Sequence, residues 1–160
     1  MSFERTLLKE VQVSIDEVFT KKFINDYMLA RENYTFDTAE LNYYTAAAFM
    51  APSLQRQWEY YWDSNNIENP FIAYKNATKI HIAINSIILH PKNQGKNDIA
   101  TVHFKKILQQ GELKKITYWI ATLTYKYANP AMDEKWRRIN PLGFQILDYR
   151  VDPEIENNST

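Results

Sequence analysis

Three histidines, His81, His90 and His103, are the side chains of this sequence best suited to proton transfer or metal binding. Imidazole titrates near physiological pH and, when neutral, ligates zinc. Their spacing supports neither role: no H-x-x-x-H pair stands on a helical stretch, and no acidic partner sits at motif distance. They read as ordinary surface or structural residues. Paired carboxylates, Asp133 with Glu134 and Asp152 with Glu154, have the right groups for an acid and a base. Their ordinary home is a solvated rim, because Asp and Glu are rarely buried unpaired. The chain has no cysteine, so thiolate nucleophiles, thiolate metal sites and disulfides are out. Its three glycines make neither a dinucleotide fingerprint nor a P-loop, and no G-x-S-x-G elbow is present. No metal and no cofactor is expected.

Aromatic residues carry more information. Tyr118, Trp119, Tyr125 and Tyr127 populate both faces of one strand-like run, and Tyr27, Tyr34, Tyr43, Tyr44, Tyr60 and Tyr61 lie in helical stretches. Core packing is one home for them. A partner surface is the other, since helices that cover one face of a sheet leave rings on the opposite face exposed, and Tyr and Trp are favoured at interfaces. The run Glu134 to Arg138, "EKWRR", reads as a solvated edge strand in which Lys and Arg deter edge pairing. Trp136 within it offers a contact surface.

The elements that must position these groups follow from periodicity. From Val11 to about Asn33, Ile15, Val18, Phe19, Phe23, Ile24, Tyr27 and Met28 recur at helical spacing. Asp37 with Glu40 predicts a capping box ahead of a second helix, with Leu41, Tyr44, Ala48 and Phe49 as its stripe. Pro52 suits the first turn of a third helix carrying Leu54, Trp58, Tyr61 and Trp62, which Asn65, Asn66 and Asn69-Pro70 close. After Ala77 the period drops to two. "KIHIAINSIILH" blurs in phase around Ser86, which predicts a bulge. "NQGKND" is a loop, and "IATVHFKKIL" and "KKITYWIATLTYKYA" form a hairpin about Gln110-Gly111-Glu112. "MDEKWRRI" is expected as a further strand.

Helices first and hairpin-linked strands second make an α+β domain with helices on one face of a curved antiparallel sheet. One domain suits 160 residues that are 45% hydrophobic and 14% aromatic. Residues 1–14 are expected as an N-terminal extension, 15–154 as the domain and 155–160 as a disordered tail. A formal charge of zero gives no field for concentrating nucleic acid or anionic lipid. No run approaches the roughly 18 apolar residues of a membrane span.

The last ordered stretch is "NPLGFQILDYRVDPE", residues 140–154. Asn140, Pro141, Leu142 and Gly143 are turn residues: proline fixes φ, glycine supplies positive φ, and the Asn140 side chain is expected to bond the turn backbone. A final strand follows, with Phe144, Ile146 and Asp148 alternating with Gln145, Leu147 and Tyr149.

This stretch, together with "YMLARENYTFDTA" at 27–39 and "ITYWIATLTYKY" at 116–127, resembles one family over about Phe19 to Glu154. It is the periplasmic domain of the single-pass inner-membrane assembly factor of bacterial type IV secretion systems, the eighth component of the VirB operon type. The resemblance implies a nuclear-transport-factor-two-like cone and a non-enzymatic scaffold that forms a homodimer and contacts other inner-membrane and core components. Direct nucleic-acid contact is not expected. By the same resemblance Tyr149, Arg150 and Thr122 belong to a partner-binding surface, and Phe23, Tyr27, Glu134 and Trp136 to the self-association surface. Family members carry a short cytoplasmic segment and one membrane-spanning helix before this domain; the chain, starting at Met1-Ser2 with a polar helix-like stretch, reads as a soluble excision of such a protein. The same cone elsewhere hosts acid–base enzymes and ligand binders. His103 and Asp148 are the residues such a reading would need in the concavity.

Overall fold

The change of period at Ala77 marks the boundary between two layers. A computed structural model describes residues 2–90, 97–128 and 132–155, with side chains from Asp16 onward. Helices α1 (Ser2–Glu32), α2 (Ala39–Ala47), α3 (Pro52–Tyr61) and α4 (Pro70–Ala73) come first. Strands β1 (Thr78–His90), β2 (Asp98–Gln110) and β3 (Leu113–Tyr127) follow, then α5 (Glu134–Ile139) and β4 (Phe144–Pro153). The four strands form one antiparallel sheet in the order β1-β2-β3-β4. Most of the loop expected at "NQGKND", and residues 156–160 of the expected tail, lie outside the described residues.

The core fills the space between α1 and one face of the sheet. Helix α1 supplies Phe23, Ile24, Tyr27 and Met28, and the strands supply Ile82, Val102, Phe104, Leu123, Phe144 and Ile146. Each such side chain, fully buried, contributes about 1.5–3 kcal/mol. Phe144 is the aromatic hub, with ring centroids 5.7 Å from Phe23, 5.3 Å from Tyr125 and 5.4 Å from Tyr127. Trp119, Tyr125 and Tyr127 alternate on this inner face, so of the four aromatics of β3 only Tyr118 points outward.

Both edge strands are partly covered. Tyr34 exchanges backbone hydrogen bonds with Ile80 on the free side of β1, and Asn33 Oδ1 accepts from the Ile82 N–H at 2.8 Å. On the other edge Ile146 donates to the Phe49 carbonyl at 2.7 Å and accepts from the Ala51 N–H at 2.9 Å. The bulge expected near Ser86 is present, between Ile84 and Ser86. The hairpin is also as expected: Gln110 pairs with Leu113, leaving Gly111 and Glu112 as a two-residue connection with Gly111 at φ +58°.

Three expectations are corrected. Helix α1 begins at Ser2 rather than Val11, since Glu, Arg, Leu and Lys in the first ten residues are strong helix formers. The Asp37/Glu40 capping box does not form. Thr38 is the N-cap and makes no side-chain cap, while Thr35 Oγ1 accepts from the Thr38 N–H at 3.2 Å. Helix α2 turns Ala39, Ala46 and Ala47 inward and leaves Leu41 and Tyr44 exposed, so small residues set its close approach to the core. The segment expected as a fourth strand is helix α5. Asp133 is its N-cap, Oδ1 accepting from the Trp136 N–H at 3.0 Å, and Glu134 in the first turn with Arg137 and Arg138 in the last suits the helix dipole.

Candidate interaction surface

The site is built upward from the turn at residues 140–143. Asn140 is fully buried, and its side chain makes three hydrogen bonds: Oδ1 accepts from the Phe144 N–H at 2.9 Å, and Nδ2 donates to the carbonyls of Phe144 at 2.6 Å and Ala48 at 3.0 Å. One amide thus ties α5, the end of α2 and the start of β4. Gly143 takes φ +68°, and its carbonyl accepts from the Ala128 N–H at 2.9 Å, just past the end of β3. The expected bonding of Asn140 to the turn is present. Leu142, at the tip, stays half exposed.

From this fixed origin β4 runs inward at Phe144 and Ile146, and then the alternation breaks. Tyr125 pairs with Ile146 but Thr124 pairs with Asp148, so Leu147 is an extra residue that shifts the phase. Beyond it Tyr149 and Val151 pack against the core while Asp148, Arg150 and Asp152 are exposed. Tyr149 and Arg150 do not share one face: neighbours in an extended strand point to opposite sides, and the bulge sets Tyr149 as the inward one.

Tyr149 closes a polar network under the helix layer. Its hydroxyl donates to Glu32 Oε1 at 2.5 Å, its ring meets Tyr27 edge-on at 5.5 Å, and the Arg31 guanidinium lies 4.0 Å from its centroid. Arg31 also donates to the Tyr27 hydroxyl at 2.8 Å and lies 4.9 Å from the Trp58 ring, while Lys106 pairs with Glu32 at 3.4 Å. Burial pushes the Tyr27 phenol up to about 12, with Arg31 opposing it. Burial, then Glu32, pushes Tyr149 well above its ordinary value. Sequence reading missed Arg31 and Glu32, though both stand inside the "YMLARENYTFDTA" string.

The outer face of the sheet is not covered by the helices. Register places Thr122 opposite Arg150 there, between Ile99 and Ile88 on one side and Ile116 and Tyr118 on the other. All four of these apolar residues are at least 40% exposed. Arg150 is held on that face by Asp152, Nε to Oδ2 3.0 Å. Thr122 and Arg150 are thus brought together, without Tyr149.

The residues expected for self-association divide in a similar way. Tyr27 is wholly buried in the core, and Phe23, almost as deep, reaches only the floor of a groove of ≈470 Å³ between α1 and α5. That correction follows from α1 packing its aromatic stripe on the sheet. Phe19, Lys22 and Leu142 form the accessible walls of the groove instead. Glu134 is exposed and paired with Arg138 at 3.0 Å, and Trp136 is half-buried against the core.

Neither acid–base candidate enters the concavity. His103 lies on the outer face, opposite Ile120, with Nδ1 3.5 Å from Glu154, and Asp148 is exposed on the same face. His90 shares a 2.7 Å hydrogen bond with Thr101. Among the described residues no group of three or more His, Asp or Glu could hold a metal ion, and no helix is long and apolar enough to cross a membrane.

Residues 2–154 match the family model of the VirB8 protein. The type IV secretion system protein virB8 of Bartonella quintana is 32% identical over 148 residues, which cover 92% of this chain and 61% of that protein. The virB8 of Brucella abortus biovar 1 is 34% identical over 154 residues, covering 94% and 62%. The chain spans about three-fifths of the length of these relatives. Among solved structures, the soluble domain of TrwG type IV secretion machinery from Bartonella grahamii superposes with a TM-score of 0.75 at 35% identity, over 88% of this chain and 97% of that one. Agrobacterium tumefaciens VirB8 gives 0.76 at 20% identity, over 89% and 95%, a likeness of fold. The architecture is the nuclear-transport-factor-two-like fold expected from the resemblance. The family match over nearly the whole length, with relatives above 30% identity, establishes that the chain belongs to the VirB8 family of type IV secretion system proteins.

Proposed function

We propose that this domain is a non-enzymatic assembly module of a type IV secretion system, held on the periplasmic side of the inner membrane by a helix outside this chain. It works as a homodimer and docks other channel components through the outer face around Thr122 and Arg150. The observation that carries the reading is the one-sided sheet. Its inner face is sealed by α1, whereas its outer face combines exposed Ile88, Ile99, Ile116 and Tyr118 with a positioned arginine. Arg is favoured at interfaces, and a strand pinned by the Asn140 turn offers its docking residues with little ordering cost. The groove bounded by Phe19 and Leu142 beside α5 is the self-association surface.

The test expresses the full-length protein carrying Arg150→Ala or Thr122→Tyr in cells with the rest of the machinery. Co-purification of other secretion components should fall several-fold, and for Arg150→Ala, an exposed position, the melting temperature should stay within about 2 °C, since exposed substitutions cost within about 0.5 kcal/mol. Undiminished co-purification overturns the docking role. Fractionation of the same cells should find the domain with the inner membrane and digestible by protease from the periplasmic side; a purely cytoplasmic protein overturns the placement.

A further inference from the structure

On the helical side of the molecule, α2, α3 and α4 enclose a surface cavity of ≈260 Å³ lined by Glu40, Tyr43, Tyr44, Glu59, Trp62 and Phe71. Four rings and two carboxylates make up this wall, with no aliphatic side chain among them. Helix α2 sets Glu40, Tyr43 and Tyr44 at i, i+3 and i+4, one face of a helix, and α3 with its C-cap sets Glu59 and Trp62 at i and i+3.

The rings meet at steep angles, which makes a box rather than a stack. Tyr43 meets Tyr44 at 5.2 Å and 82°, and Trp62 meets Tyr43 at 6.0 Å and 77° and Phe71 at 5.3 Å and 72°. Neighbouring contacts fix these positions before any ligand arrives. Tyr43 stacks on Trp58 at 5.9 Å and 12°, Trp58 Nε1 donates to the Tyr43 carbonyl at 3.1 Å, and Asn69 Nδ2 donates to the Trp62 carbonyl at 2.6 Å.

Aromatic faces carry negative charge density and attract cations. Here two formal charges add to them: Glu40 and Glu59 are exposed at the box, and neither has an ion-pair partner among the described residues. The field of Glu59 reaches inside, for burial and then Glu59 push the Tyr43 phenol above its ordinary value. One ring already attracts a cation of the chain's own, Lys135 Nζ lying 5.8 Å from the Tyr44 centroid.

We propose that this box takes the ammonium or guanidinium of a lysine or arginine side chain on a partner polypeptide. Size argues for a side chain, since ligand-sized pockets run from about 300 Å³ upward and this one is smaller and open to a surface where a chain can lie. The inference does not rest on the docking surface around Arg150, which is on the far side of the sheet, so either can fail alone.

The test titrates the 15N-labelled domain with N-acetyl-arginine methylamide and N-acetyl-lysine methylamide, reading the Trp62 indole N–H shift. Saturable shifts at Trp62 and at the amides of α2 and α3 are expected. The neutral N-acetyl-norleucine methylamide should bind at least about tenfold more weakly, as should the cations to an E40Q/E59Q double variant. Both changes are at exposed positions, and an unchanged amide spectrum elsewhere verifies the fold. Equal binding of the norleucine probe, or undiminished binding to the double variant, overturns the proposal. Tetramethylammonium binding about tenfold tighter than either amide would also overturn it, by assigning the box to a free small cation.

Discussion

The guanidinium of Arg31 lies 4.0 Å from the ring centroid of Tyr149, joining the last turn of the first helix to the last strand of the sheet. The same group donates to the Tyr27 hydroxyl and packs beside Trp58, so one side chain links α1, α3 and β4. A planar, weakly hydrated cation suits this place and a lysine ammonium does not. Arg31→Lys is expected to lower stability by about 1–2 kcal/mol in denaturant unfolding, because the stack and the bond to Tyr27 are lost together. A loss below the error of the measurement would show the stack to be dispensable.

Alkaline pH should expose the same network. Tyr27 and Tyr149 hold their protons more tightly folded than unfolded, since burial raises both above the ordinary phenol value. Their contribution is complete below about pH 10, the unfolded value. It is lost as pH rises through about 12, the folded value of Tyr27. Stability should therefore fall steeply above pH 10, and tyrosinate absorbance should show a late class of phenols that appears only with unfolding. Early titration of every tyrosine in the folded chain would contradict this burial.

Asn140→Ala should be among the most damaging single substitutions. It strips hydrogen bonds from the Phe144 N–H and from the carbonyls of Phe144 and Ala48 at a fully buried site. Each orphaned group costs about 1–3 kcal/mol, so a loss of about 3 kcal/mol is expected by thermal or chemical unfolding. Asn140→Asp should be harmful as well, because a carboxylate cannot donate to the two carbonyls.

Gly143 sits at φ +68°. Asparagine tolerates that region better than a β-branched residue, so Gly143→Asn should cost about 1 kcal/mol and Gly143→Val clearly more. Equal melting temperatures for the two variants would mean that the turn relaxes to negative φ. Gly111, at φ +58° with open space around its missing Cβ, offers the comparison in which strain acts without any clash.

Where one residue type dictates geometry, the sequence can be read directly. Pro52 starts α3, Gly111 turns the hairpin, and Asn140 with Gly143 forms the last turn. Loss of phase around Ser86 likewise foretells a bulge. Helix α5 was hidden because six residues are too few to show a helical period, and "EKWRR" satisfies an edge strand equally well until Asp133 is seen as its N-cap. Phe23 and Tyr27 were misplaced for a related reason. An aromatic stripe at helical spacing reads the same whether it faces a core or a partner, and only the packing of α1 on the sheet decides. The bulge at Leu147 has a trace of its own, the shift of apolar residues from Phe144 and Ile146 to Tyr149 and Val151, which a single unbroken alternation along the strand passes over.

That bulge makes the length of β4 carry meaning. Between the pinned origin at Gly143 and the end of the strand, one surplus residue decides which side chains meet the helix and which meet the outside. Deleting Leu147 would remove the surplus residue and leave Ile146 opposite Tyr125 and Asp148 opposite Thr124, a regular strand with the same two faces. Keeping Leu147 but pairing it regularly with Thr124 is what would carry Arg150 and Asp152 toward the core and turn Tyr149 and Val151 out, exchanging the inventories of the two faces. The bulge thus absorbs one residue of parity, and by doing so it keeps Asp148, Arg150 and Asp152 in water and Tyr149 and Val151 against the helix layer.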